Sequence, residues 1–260
     1  MLRLNLVLTL ILMMSFTVMA VANAVNYCGL YANVGTSVLC LSVVQELLDD
    51  VVRGFPRESL KISGDITVRK QRGVITREME FEMRLDWGGN PASAEYTIRD
   101  AFGSNLEKMT VIRAENGSVT FKYASGKDLT SAACPNIGEM IQGTDMSWMD
   151  LTLGFLWWKG GSLIGQEFVR GRECHIVEIP APANDQGPYG KVMLWIDQRL
   201  HVILQVEGYG HDGEKIRRLW VNGFKKIDDR WMIKDMEIEN FPVIRRTKMR
   251  IREVGVDTRS

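Results

Sequence analysis

The sequence predicts a mainly β (α+β) protein: a curved antiparallel sheet of about ten or eleven strands whose hydrophobic concave face is covered by helices. Three observations carry this. From Ile75 to Trp87 apolar and charged residues alternate with period 2 over a long run, the pattern of an antiparallel strand with one dry and one wet face. Turn signals recur at short spacing through most of the rest. The stretch Gly143–Trp158, GTDMSWMDLTLGFLWW, then breaks the alternation with three tryptophans, a phenylalanine and three leucines. Its only charges are Asp145 and Asp150. It is too short and interrupted to span a bilayer, which takes about 20 apolar residues.

The elements follow in order. Val44, Leu47, Leu48 and Val51 recur at helical spacing within Ser37–Arg53, and Gly54 and Pro56 close that helix. Ile62, Gly64, Ile66 and Val68 begin the strands. On the long strand Ile75, Met79, Phe81, Met83, Leu85 and Trp87 share the dry face, with Arg77 among them. Gly88 to Pro91 is a turn. Shorter strands follow at 94–99, 109–114 and 119–123, the last two joined at Asn116-Gly117, a strong two-residue hairpin signal. From Ser125 to Lys159 the alternation is absent, and Asp145 or Ser147 is placed to cap a short helix through Trp158. An insertion this long in a compact domain is typical of a lid or binding loop. Strands resume at 167–170, 173–179, 191–197, 202–209, 216–224, 231–239 and 243–254, with turns at Gly171-Arg172, Gln198-Arg199, Asp212-Gly213 and Asp228-Asp229.

Residues 1–24 have the layout of a secretory signal peptide: a basic start at Arg3, an apolar run from Leu4 to Ala22, and the small-x-small site Ala22-Asn23-Ala24. Residues 25–260 are then one exported domain, periplasmic if cleaved and anchored if not. With 32 basic and 32 acidic residues the chain is balanced, which argues against a nucleic-acid partner. Four cysteines in an exported chain read as disulfides with three possible connectivities. Cys28–Cys40 and Cys134–Cys174 are favoured, the second closing a loop around the aromatic stretch. Zinc is the weaker reading, because no CxxC is present and His175 points away from Cys174 on a strand.

Motifs for catalysis are lacking. There is no GxSxG, HExxH or P-loop. His201 and His211 have no nucleophile adjacent in sequence, and His175, beside Cys174, points to the opposite face of its strand. The expectation is a binding protein rather than an enzyme, with no cofactor and no metal.

The order of features resembles the outer-membrane lipoprotein-sorting proteins of the LolA/LolB-like superfamily, in a divergent branch. It rests on the early helix, Ser63-Gly64-Asp65, YTIRDAFGSNLE at Tyr96–Glu107, the aromatic stretch, Gly171-Arg172-Glu173-Cys174, YGKVMLWID at Tyr189–Asp197 and Trp231-Met232-Ile233-Lys234. The likeness covers about residues 42–254. It implies an antiparallel half-barrel closed by helices, around a cavity for lipoprotein acyl chains. It also implies membrane-bound donor and acceptor proteins and a monomeric carrier in which a cavity arginine pairs with lid backbone. Arg77 is the candidate for that lid-anchoring role. The expected lipid contacts are Phe81, Met83, Leu85, Met193 and Trp195 on the sheet and Trp148, Leu151, Phe155, Trp157 and Trp158 on the flap. Which parity of 192–196 faces inward stays open, because Val192, Leu194 and Ile196 are equally apolar. The alternative is an envelope binding or sensing module that docks a membrane-protein partner without carrying lipid.

Overall fold

The structure, a computed structural model, describes residues 34–70, 73–185, 187–227, 230–242 and 245–258. The expected signal peptide and Cys28 lie outside these, and so does the side chain of Cys40. Helix α1 (Val34–Arg53) precedes a run of six strands, β1 (Leu60–Arg69), β2 (Ile75–Asp86), β3 (Ala92–Asp100), β4 (Asn105–Arg113), β5 (Val119–Ser125) and β6 (Thr130–Ala132). The chain then leaves the sheet for residues 133–161, called the strap below. Within it lie helix α2 (Trp148–Thr152) and two 3-10 turns, Ile141–Gly143 and Gly154–Trp157. Seven strands follow: β7 (Ser162–Val169), β8 (Arg172–Pro180), β9 (Lys191–Asp197), β10 (Ile203–Tyr209), β11 (Lys215–Ile227), β12 (Arg230–Asn240) and β13 (Arg245–Val256).

All thirteen strands form one antiparallel sheet in the order β6-β5-β4-β3-β2-β1-β13-β12-β11-β10-β9-β8-β7. Two meanders are thus joined by a seam in which β1 pairs with β13. The sheet is not closed into a barrel: β6 and β7 are its two edges, and the strap runs from one to the other. Thirteen strands exceed the expected ten or eleven. One addition is β6, three exposed residues with no alternation to read. The β4–β5 hairpin turns at Asn116-Gly117 as expected, with Gly117 at φ +80° and its amide donating to the Ala114 carbonyl.

The sheet curves, as the reach of α2 requires. Trp148 packs edge-on to Tyr123 of β5, with centroids 6.3 Å apart. Asp150, two residues on, pairs with Arg217 of β11. Those strands stand seven places apart in the sheet, about 34 Å if it were flat. A five-residue helix is only about 7.5 Å long. Both contacts are possible only because the two meanders fold toward each other.

The inner face is apolar along nearly every strand. Ile62, Ile66, Met79, Phe81, Ala94, Ile98, Met109, Val111, Val177, Ile179, Leu194 and Met249 belong to one buried cluster. Met83, Leu85 and Trp87 pack against it, so the dry face read from β2 is the inner one. Helix α1 contributes Val44, Leu48 and Val51 to the same cluster. It lies close over the strap's exit: a Cβ on Gly161 would come within 2.9 Å of Val44. The outer face is charged and cross-paired. Glu82 meets Lys61, Arg84 and Arg99, and Glu207 meets Lys215 and Arg218.

Two expectations are corrected here. Met193 and Trp195 point outward into a separate small cluster with Cys174 and Leu204, while Val192, Leu194 and Ile196 face inward. The Cys134–Cys174 bridge is not formed, and both thiols are free. Cys174 lies on the outer side of β8, whereas Cys134 leads into the strap, which packs on the inner side. Burial pushes the Cys174 thiol up to about 11, which keeps it protonated and unreactive at neutral pH.

Candidate functional site: the inner face and its strap

The strap folds locally through its polar residues. Ser147 caps α2, accepting from the Asp150 amide, while the Asp150 carboxylate accepts from the Ser147 amide in return. This is a capping box. The helix stops at Leu153, which takes a left-handed conformation with φ +51°. The expected helix through Trp158 is therefore broken into α2 and a 3-10 turn. The break lets residues on both sides of it face inward. Trp148, Met149, Phe155 and Leu156 are nearly inaccessible, and Leu151 and Trp158 are less than a tenth exposed. All six belong to the cluster formed by the sheet. The inner face is thus filled by the strap's own side chains.

Trp157 differs from its neighbours. It is half-buried and packs at a tilt on Trp87, ring centres 6.1 Å apart, and Trp87 in turn lies 5.7 Å from Phe55. The Arg113 guanidinium sits 4.3 Å from its ring centre. This aromatic clasp holds the strap at the end of the half-barrel where the β2–β3 and β4–β5 turns lie.

The opposite end of the strap is held by charge. Asp150 receives the Arg217 guanidinium at 2.5 Å, the Ser147 hydroxyl at 2.6 Å and the Tyr189 hydroxyl. Asp145 receives Arg245 at 2.7 Å, Asn240 at 3.1 Å and Thr247 at 2.8 Å. Asp145, Asp150 and Arg217 are each at most 5% exposed, so the Asp150–Arg217 pair is buried, while Arg245 reaches Asp145 from a partly exposed position. Burial and the neighbouring Asp150 charge push the Tyr189 hydroxyl well above its usual range, so it stays a donor. Its ring lies flat on Gly208, where a Cβ would come within 2.1 Å of it. Gly208 is the clearance that admits Tyr189 to the network.

A third anchor joins the strap to the first meander. Arg77 of β2 donates to the Gln142 backbone carbonyl and, at 3.3 Å, to its side-chain oxygen. Nearby, Glu107 of β4 accepts from the Tyr123 hydroxyl at 2.7 Å, and its other oxygen is buried with no partner. Burial pushes its carboxyl above the ordinary 4.5, against the lowering effect of the Tyr123 bond. The folded protein therefore holds this proton at pH values where the unfolded chain has lost it. The associated stability is present below about 4.5 and is lost as pH rises through the folded value. Glu107→Gln is expected to raise the thermal midpoint at pH 7.5 and leave it unchanged at pH 4, measured by calorimetry at both.

Sequence reasoning placed Phe81, Met83, Leu85, Trp148, Leu151, Phe155 and Trp158 together, and the structure brings them into one cluster. It missed Arg217, Arg245, Asn240 and Thr247. A signal existed: Arg217 shares strand parity with Leu219 and Val221, and Arg245 with Met249, as Arg77 does with Met79. An arginine at a dry-face position near a strand end calls for an acid, and the aromatic stretch of the strap carries Asp145 and Asp150. An open cleft of about 800 Å³ lies elsewhere, bordered by Arg84, Ser93, Glu95, Lys108, Thr110 and Lys122. Leu85, Pro91, Ile112 and Leu129 border it as well, so its lining is mixed polar and apolar. Among the described residues no group of three or more His, Cys, Asp or Glu is arranged to hold a metal. No helix among them is long and apolar enough to cross a membrane.

The fold defines the chain as an open, strap-covered half-barrel of the LolA-like type. It is similar to a DUF1329 family protein from Desulfovibrio piger, with a TM-score of 0.71 at 15% identity over 85% of this chain and 95% of that one. It is similar to a putative outer membrane lipoprotein-sorting protein domain from Vibrio parahaemolyticus, at 0.68 and 15% over 86% and 94%. A LolA superfamily protein from Nitrosomonas europaea gives 0.63 and 12% over 83% and 94%. The resemblance seen in the sequence thus holds for the fold. A family model described as "-like: Uncharacterized protein" matches residues 132–260, the strap and second meander. No curated protein matches the sequence.

Proposed function

We propose that the protein is a periplasmic carrier that binds lipoprotein acyl chains, or another lipid, beneath its strap and passes them toward the outer membrane. The observation that carries this is the nature of the cover. A wide apolar sheet face is closed by short helical pieces held at their margins by polar contacts, rather than by a second sheet. Displacing the strap exposes Phe81, Met83 and Leu85 on the sheet and Trp148, Leu151, Phe155 and Trp158 on the cover, a greasy cleft with two walls. Arg77, bonded to strap backbone, acts as a lid anchor that opening releases.

The energetics permit exchange. Transfer of one acyl chain of about 15 methylenes out of water is worth roughly 12 kcal/mol. Opening uncovers apolar surface that the chain then covers again, so the net cost is largely that of breaking the latches. Both members of each ion pair regain water when the strap lifts, which makes separation milder than deleting one partner. The match to a Vibrio lipoprotein-sorting domain supports the envelope setting, and the signal-peptide layout of residues 1–24 supports export.

The test is to purify the protein from an oxidising periplasm without detergent and record native mass spectra followed by lipid extraction. Near-stoichiometric lipid or acylated peptide is expected. A clean apo mass that also rejects added phospholipid and lipopeptide would sink the carrier reading and favour a protein partner. Trp157→Asp, which breaks the aromatic clasp, is expected to leave a folded protein by circular dichroism with at least tenfold less bound lipid. Unfolding of this variant would assign Trp157 to the core instead of the flap.

A further inference from the structure

Beside the charged latch the structure holds a pocket of about 400 Å³, bordered by Arg217 and Arg245 and by the apolar side chains of Met140, Ile216 and Phe241. Asp145 and Asn240 close its back. The volume falls within the range of small-ligand sites. Arg217 is 4% exposed, yet its Nη2 has only the Met140 sulfur at 3.5 Å for a partner. A thioether is a weak acceptor, and a buried guanidinium nitrogen normally finds oxygen. Arg245 spends Nε on Asp145 and Nη2 on the Thr144 carbonyl, which leaves Nη1 without a partner among the described residues. Arg245, Asn240 and Thr247 occupy both oxygens of Asp145, which offsets part of its repulsion toward an incoming anion.

We propose that this pocket receives the oxyanion head of an acyl amphiphile, a carboxylate or phosphate, with its first methylenes against Met140, Ile216 and Phe241. The proposal rests on the acyl-binding reading above for the tail. Two guanidinium edges present donors suited to a planar or tetrahedral oxyanion, and Met140, Ile216 and Phe241 put apolar side chains beside them. Lys215, with its ammonium 5.7 Å from the Phe241 ring, adds positive charge near the mouth, partly offset by its bridge to Glu207. The head is also a direct competitor of Asp145 for Arg245. Its arrival therefore loosens the strap where the tail must enter, so that recognition of the head and opening of the interior are one event.

The full chain is titrated calorimetrically with decyl phosphate below its micellar concentration, with decanol, and with inorganic phosphate. Decyl phosphate is expected to bind at least tenfold more tightly than decanol, and inorganic phosphate only weakly. Arg245→Gln is expected to bring the ratio of the two decyl ligands toward one. Ile216→Trp, which fills the pocket and keeps both arginines, is expected to do the same. Equal affinity for decyl phosphate and decanol in the unaltered protein would overturn the head site and leave the acyl-binding reading standing. Inorganic phosphate binding as tightly as decyl phosphate would mark a simple anion site and also overturn the proposal. If neither decyl ligand binds, the acyl-binding reading fails, and the proposal with it.

Discussion

Asp150→Ala is expected to destabilise the protein by about 3–5 kcal/mol, measured by urea denaturation at pH 7. Asp150 is the centre of the strap's charged anchor: it caps α2 and accepts from Arg217, Tyr189 and Ser147. Its removal leaves the Arg217 guanidinium nearly inaccessible to solvent, with only Ser147, Tyr189 and Asn240 oxygens and the Met140 sulfur for company. An uncompensated buried charge is the costly outcome, more than the lost attraction itself. The double substitution Asp150→Leu with Arg217→Met is therefore expected to be markedly more stable than Asp150→Ala alone. If the double variant is no better than the single one, the damage comes from the lost cap and packing instead of the orphaned charge.

Trp148→Ala is expected to cost a similar about 3–5 kcal/mol, for a different reason. The side chain is 1% exposed, part of the core cluster and edge-on to Tyr123 of β5. Truncation leaves a cavity that the curved sheet cannot wholly close. Because the walls of that cavity are the proposed acyl contacts, small apolar ligands such as indole are expected to raise the variant's thermal midpoint and leave the unaltered protein's unchanged. A loss below about 1 kcal/mol would show that the strap rests on the surface rather than filling the interior.

The strands were readable because their two faces meet different solvents. On β2 every second residue but Arg77 is apolar, and that parity is the inner one. The same reasoning was silent on β9, whose two parities are both buried: Val192, Leu194 and Ile196 within, Met193 and Trp195 in the outer cluster. Period-2 reading needs one wet face, and β9 has none. The strap was recognised as a cover from its composition. Its internal path was not, because the break at Leu153 arises from tertiary packing at a residue with good helix propensity. Asp145 and Asp150 were visible as the only charges of the Gly143–Trp158 stretch, but their partners in the sheet lie in strands β11, β12 and β13, 67 to 102 residues downstream. Only the curvature of the sheet brings them together. The cysteine pairing failed for a related reason: spacing along the chain does not reveal that one thiol leads to the inner side of the sheet and the other lies on the outer.

The path of the strap from one free edge of the sheet to the other sets how much slack the molecule has. Fully extended, the chain between Ala132 and Ser162 reaches roughly 100 Å. Thirteen strands laid flat span about 58 Å, and the curved sheet brings its edges closer than that. The strap can therefore swing clear of the face like a loose bowstring, with both strands it ties still paired to their neighbours. On the proposed carrier reading, admission of a guest then needs no hydrogen bond of the sheet to break, and the register of all thirteen strands stays as it is.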